Sequence, residues 1–186
     1  MNSSNPNSSI KVNEKDLYRT LVEVIDFIVH KHHTYVRNTL QKIIYHSSNG
    51  DLKNRTNQPD ELNNLIEALS RDMHNHMEKE ERILFPLIKY LEETEKFREK
   101  PKNRNYGTIK NPIRQMLSDH DTINTLIKKI KIVLTKTENE KTNNYRIFSV
   151  SRLISEFETD LEKHIHLEND ILFPRSIELE NKLLNN

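Results

Sequence analysis

The stretch HMEKEERILFP at residues 76–86 decides the fold, and HIHLENDILFP at residues 164–174 repeats it. His76, Glu80 and Pro86 of the first match His164, Glu168 and Pro174 of the second in spacing. On a helix, steps of three, four, seven and eight residues return to one face, so His76 shares a stripe with Met73, Glu80, Ile83, Leu84 and Leu87. A histidine and a glutamate are thereby aimed at an apolar interior. An isolated ionised carboxylate is costly enough there that such groups are found paired, neutralised or on a metal. The same holds for His164 and Glu168 among Phe157, Leu161, Ile171 and Leu172, and for His120 between Leu117 and Ile123.

The stripes around these stretches define the architecture. Val22, Ile25, Val29, Val36, Leu40 and Ile43 recur at three- and four-residue steps, which predicts a first helix over about residues 15–46. A second starts at PDELNNL, where Asp60 and Glu61 suit the positive end of the helix dipole, and runs to about residue 97. Ile113, Met116, Leu117, Ile123, Ile127, Ile130 and Leu134 mark a third; Phe148, Leu153, Ile154, Phe157, Leu161, Ile171 and Leu172 mark a fourth. The two glycines, Gly50 and Gly107, both fall in polar connections. Helices joined by short links pack antiparallel, so the expected fold is an all-α, up-down-up-down four-helix bundle. Pro86 and Pro174 lack an amide donor and crowd the preceding turn, and the second and fourth helices are expected to kink or loosen there. One domain over residues 15–186 is expected, after a polar, disordered tail at residues 1–14.

The repetition reaches further than the two stretches. His33 precedes His76 by 43 residues and His120 precedes His164 by 44. Each half therefore supplies one histidine from its first helix and a His-x3-Glu pair from its second, and two related helix hairpins would bring six side chains toward a common axis.

Composition narrows the chemistry. The 29 basic and 28 acidic side chains are interspersed and give a net charge of +1, which points to no nucleic-acid or membrane partner. The absence of cysteine excludes disulfides, thiolate metal sites and cysteine nucleophiles. The segment MNSSNPNSSI has no apolar core of a leader, and no run approaches the roughly 18 apolar residues of a membrane span, so a cytoplasmic protein is expected.

Four neutral imidazoles, from His33, His76, His120 and His164, with the carboxylates of Glu80 and Glu168, suit two divalent metal ions that each glutamate is able to bridge. A lone histidine on an apolar face is usually a satisfied core residue, and a His-x3-Glu pair is usually a surface contact. Six such residues at matched separations in two halves outweigh both readings. His74 and His166 fall about 200° round their helices from the ligand stripe and are expected at the surface. In HKHH at residues 30–33, His30 lies off the stripe while His32 and His33 flank its centre; periodicity leaves the pair open and the half-repeat spacing favours His33. His46 lies near a helix C-terminus, where the dipole favours a partly protonated imidazole, and a structural role is expected for it. Imidazole and carboxylate without thiolate suit iron, manganese or zinc, and a bridged pair in an all-helical core puts iron first. The two ILFP segments are expected to wall the site, limiting water and fitting small, weakly polar guests such as O2 or NO.

HMEKEERILFPLI, MLSDHDTINTL and FETDLEKHIHLENDILFPRS resemble the hemerythrin-like domain of the repair-of-iron-centres proteins, di-iron proteins of iron–sulfur cluster repair, over about residues 17–178. The resemblance implies a non-haem, carboxylate-bridged pair of iron ions, with His33, His76, His120 and His164 as ligands and Glu80 and Glu168 as bridges. VIDFIVHKHHTYVR is similar to the family pattern in which the histidine at 33 is the ligand. It further implies a role in nitrosative and oxidative stress through iron release or NO handling, with damaged iron–sulfur proteins as clients. A reversible O2 or NO carrier or sensor and a di-iron NO reductase are the alternatives; the symmetric His-x3-Glu pairs favour the repair branch over the oxygen carriers. Two departures stand out. Many repair proteins carry a cysteine pair ahead of the bundle, whose contribution is expected to be absent here or to come from a partner. The family also tends to place a histidine in the loop after the first helix, whereas NRTNQPDEL at residues 54–62 has none, so metal lability or ligand access is expected to differ.

Overall fold

The computed structural model describes residues 19–48, 61–99, 107–139 and 145–185; the expected tail at 1–14, the helical start at 15 and most of the 54–62 loop lie outside the described residues. Four helices follow in order. We number α1 through the consecutive segments Leu21–Phe27, Ile28–His33 and Thr34–Ser48, and α2 through Glu61–Lys79, Glu80–Leu84 and Phe85–Lys96. Helix α3 is the unbroken Lys110–Asn139, and α4 runs through Tyr145–His166, Leu167–Leu172 and Phe173–Asn185. Two of the described helix boundaries show a local cause. Thr20 and Glu23 form a reciprocal capping box at the start of α1, satisfying amides that have no partner within the helix. Arg98, with φ of 54°, and Gly107, with φ of 68°, take left-handed conformations in the connection between α2 and α3.

Packing is antiparallel, as two long-range caps make plain. The carboxylate of Glu92, late in α2, accepts from the amides of Leu21 and Val22 at 2.6 and 3.0 Å, at the start of α1. Glu180, late in α4, accepts from the Ile109 amide and the Thr108 hydroxyl, both at 2.7 Å, at the start of α3. Glu92 and Glu180 stand at equivalent positions of the two halves, each 12 residues after Glu80 or Glu168. The duplicated hairpin thus carries its own hydrogen-bonded clasp.

The core is divided in two. One apolar cluster takes α1 up to Ile28, α2 from Leu84, α3 up to Met116 and α4 from Leu167. The other takes α1 from Val36, α2 up to Met77, α3 from Ile123 and α4 up to Leu161. The order alternates from helix to helix, as antiparallel neighbours require. Between the two clusters lies one polar layer, and all six residues expected there fall into it.

Buried positions in α3 follow alternating four- and three-residue steps, through Ile109, Ile113, Met116, His120, Ile123, Ile127, Ile130 and Leu134. This is the seam of bundle packing. It puts Leu117 one position off the seam, 41% exposed rather than interior. The fourth stripe likewise begins on buried Ile147, leaving Phe148 65% exposed. Ile83 is the third correction, at 55% exposure. Its cause is a wide π-helical turn over Glu80–Leu84, in which the Phe85 amide reaches the Glu80 carbonyl five residues back. The extra residue moves the buried face onto Leu84 and Phe85 and turns Ile83 outward.

The expected loosening at the prolines therefore takes the form of wide turns one turn earlier. The same geometry recurs at Leu167–Leu172, where the Phe173 amide reaches the Glu168 carbonyl. In each case proline removes the next donor of the α-helical ladder, so the longer bond competes on better terms. A third wide turn, Ile28–His33, has no proline behind it. It allows consecutive residues, His32 and His33, both to be buried.

Candidate metal centre

Each helix delivers its polar residue to the layer from the seam its sequence dictates. His33 comes from α1, His76 and Glu80 from α2, His120 from α3, and His164 and Glu168 from α4. His33, His76, Glu80, His164 and Glu168 have no solvent exposure, and His120 is 3% exposed. Two four-residue groups emerge: His33, Glu80, His164 and Glu168, and His76, Glu80, His120 and Glu168, with ligand atoms within 4.8 Å of one another in each. Glu80 and Glu168 belong to both. That is the arrangement two adjacent cations would need if both carboxylates bridged them.

The fit can be judged from how these atoms treat each other. His164 Nε2 and Glu168 Oε1 are 2.8 Å apart in a good hydrogen bond, and His120 Nε2 lies 3.0 Å from Glu168 Oε2. His33 Nε2 and His76 Nε2 approach Glu80 Oε2 at 3.2 and 3.5 Å. Most of these approaches are close without being bonds. His33 Nε2, both ring nitrogens of His76 and His120, both oxygens of Glu80, and Glu168 Oε2 are buried and lack a hydrogen-bond partner. Each such atom costs about 1–3 kcal/mol when it stays unmet. Lone pairs converging on common points rather than on donors are what a cation would satisfy, and the nitrogen and oxygen donor set fits a first-row transition metal.

The buried carboxylates act on the histidines beside them. Burial alone would lower His76, yet Glu80, Asp119 and Glu168 outweigh it and raise its pKa to about 9. Burial also opposes protonation of His33, and the carboxylates of Glu80, Glu81 and Glu168 again raise it above the ordinary value. Glu168 would be raised by burial but is held well below the carboxylate range by His164, His120 and His76. Without a bound cation, protons on His33 and His76 would supply positive charge beside the buried carboxylates.

Residues that sequence reasoning passed over support the layer from outside. Glu81 Oε1 accepts from His33 Nδ1 at 2.6 Å and from the Arg37 guanidinium at 2.7 Å. Asp119 Oδ2 faces His76 Nδ1 at 3.7 Å while accepting from Lys79 at 2.8 Å, and Asp119 Oδ1 accepts from Gln115 at 2.8 Å. The only sequence signal for either carboxylate is that it adjoins a stripe residue, Glu80 or His120. His32, left open beside His33, is buried but points elsewhere: its Nδ1 lies 3.0 Å from Asp160 Oδ2 and its ring stacks on His164 at 5.6 Å. His74 and His166 are exposed. From the two ILFP segments, Phe85 stacks on His33 at 5.9 Å and Phe173 on His120 at 6.4 Å, forming part of the apolar wall.

An all-helical bundle with a buried layer of four histidines and two shared glutamates defines a class, and sequence comparison agrees with it. The model of the hemerythrin HHE cation binding domain matches residues 24–176, and the chain belongs to that family. Within it, the chain is similar to proteins named for iron–sulfur cluster repair. It is 32% identical over 177 residues to a probable iron-sulfur cluster repair protein of Haemophilus influenzae, covering 90% of this chain and 71% of the relative. It is 31% identical over 160 residues to the iron-sulfur cluster repair protein YtfE of Salmonella paratyphi B, and equally to that of Salmonella newport, covering 84% of this chain and 66% of each relative. The chain thus spans about two thirds of the length of these relatives. Among the described residues no helix is long and apolar enough to cross a membrane.

Proposed function

We propose that the protein is a non-haem di-iron protein that helps restore damaged iron–sulfur clusters, with His33, His76, His120 and His164 as terminal ligands and Glu80 and Glu168 as bridges. The observation that carries the reading is the pair of four-residue groups sharing two carboxylates, in a layer where His33 Nε2, both nitrogens of His76 and His120, both oxygens of Glu80 and Glu168 Oε2 lack a hydrogen-bond partner. The names of the relatives support the repair role. Bound iron would supply redox chemistry and a transferable ion; the chain's residues would hold it, exclude bulk water and fix the imidazole tautomers. Damaged iron–sulfur proteins are the clients this reading implies.

The test uses the iron-loaded protein and a [4Fe–4S] protein whose cluster has been degraded by NO. Recovery of cluster absorbance with loaded protein, and none with a Glu80→Gln, Glu168→Gln variant, is expected. Full loading without any recovery would refute the repair role while leaving the metal site intact. The apolar walls and the stacked Phe85 and Phe173 also favour admission of a small, weakly polar molecule such as NO. Release of N2O from the reduced protein would assign turnover of that guest, and its absence would remove the reductase alternative.

A further inference from the structure

We infer that the two metal positions are held unequally, and that the ion between His76 and His120 leaves first, under the control of Asp119 and Lys79. This rests on the di-metal reading and deepens it. A ligating histidine is fixed by what its second ring nitrogen donates to, and such partners commonly change metal affinity 10–100-fold. In the position shared by His33 and His164, that partner is engaged: Glu81 sits 2.6 Å from His33 Nδ1 and is braced by Arg37. In the other position it is not. Asp119 stops 3.7 Å short of His76 Nδ1 because the same oxygen is drawn to Lys79 at 2.8 Å.

The remaining two histidines do not offset this, since His120 Nδ1 and His164 Nδ1 are both buried without a hydrogen-bond partner. By the repeat, Glu81 corresponds to Asn169, 88 residues on, and both Asn169 Oδ1 and His120 Nδ1 are buried without a hydrogen-bond partner. Asp119 corresponds to His32, 87 residues earlier, which stacks on His164 as Phe173 stacks on His120. The two positions therefore differ in one carboxylate: Glu81 is engaged on His33, whereas Asp119 is diverted from His76. Asp119 and Lys79 also line a groove of about 190 Å³ with Asp72, Asn75, Thr122 and Ile123, open to water where Asn75 and Thr122 are exposed. Lys79 and Asp119 act as positioning residues: when Lys79 holds the shared oxygen, His76 loses its brace.

The experiment follows the release of Fe(II) from anaerobically loaded protein to a colorimetric chelator, with 57Fe Mössbauer spectra of each starting sample. Wild type should hold two ions and lose them in two phases of equal amplitude. Asp119→Ala should speed the fast phase about tenfold or more and alter one of two quadrupole doublets, leaving the slow phase unchanged. Lys79→Met should slow the fast phase, because it frees Asp119 for His76; a merely structural role would not give opposite signs. Glu81→Gln should speed the slow phase alone. Two ions leaving in a single phase, or both Asp119→Ala and Lys79→Met accelerating release, would overturn the inference with the di-metal reading standing. Fewer than two ions bound by wild type would overturn both.

Discussion

Without metal, the stability of the protein should fall as pH rises from 6.5 to 9, the reverse of what loading with metal does. His76 has its folded-state pKa raised from 6.5 to about 9, so its protonated form is favoured by folding. A group raised in this way contributes fully below its unfolded value and loses that contribution as pH climbs through the folded one. Glu168, Glu81 and Asp119 are all lowered, so their contributions are lost only as pH falls through the carboxylate range, outside this window. The rise to about 9 corresponds to about 3 kcal/mol at about 1.4 kcal/mol per pH unit, and His33, raised in the same direction, adds to it. For a chain of this length each kcal/mol moves the melting temperature by roughly 2–4 °C, giving a drop of roughly 6–12 °C between pH 6.5 and 9. Holding a cation requires His76 neutral, so metal-loaded protein should show no such drop and its advantage over the metal-free form should widen with pH. Differential scanning calorimetry of chelator-treated and loaded protein across the window reads both curves. A metal-free melting temperature that holds steady or rises toward pH 9 would refute the reasoning, as would an undiminished slope in His76→Gln.

Three further outcomes separate the parts of the fold. Phe157→Ala, at a fully buried position in the core, should cost about 3–5 kcal/mol in denaturant unfolding, whereas Phe148→Ala, at 65% exposure, should stay within about 0.5 kcal/mol. Glu180→Ala, which strips the buried Ile109 amide of its acceptor, should cost about 1–3 kcal/mol by the same measure, and Glu92→Ala a similar amount at the equivalent clasp. Pro86→Ala restores the missing donor and should tighten the wide turn behind it, detectable as slower amide exchange over residues 80–86 in the metal-free protein.

The layout of four helices was legible because their buried faces are long and regular: α3, and α4 from Ile147 to His164, keep alternating three- and four-residue steps. The six layer residues were legible because polar groups interrupt those faces at matched positions in both halves. What periodicity misplaced follows from its assumption of 100° per residue. Ile83 is turned out by a wide turn that inserts one residue into the count, while Leu117 and Phe148 sit one step beside the seam residues Met116 and Ile147. The wide turn in α1 had no proline to announce it, and it buries His32 and His33 side by side. Glu81 and Asp119 escaped notice because their partners lie on other helices, 48 and 43 residues away in sequence, and a single chain carries no mark of such pairs. The reciprocal clasps at Glu92 and Glu180 are of the same kind.

The central claim is tested most directly by anaerobic titration of the chelator-stripped protein with Fe(II), counting bound iron per chain and comparing wild type with Glu80→Gln, Glu168→Gln. A break at two equivalents in wild type, lost in the double variant, is the predicted result. A break at one equivalent or none, or a double variant that binds two ions as wild type does, would contradict it.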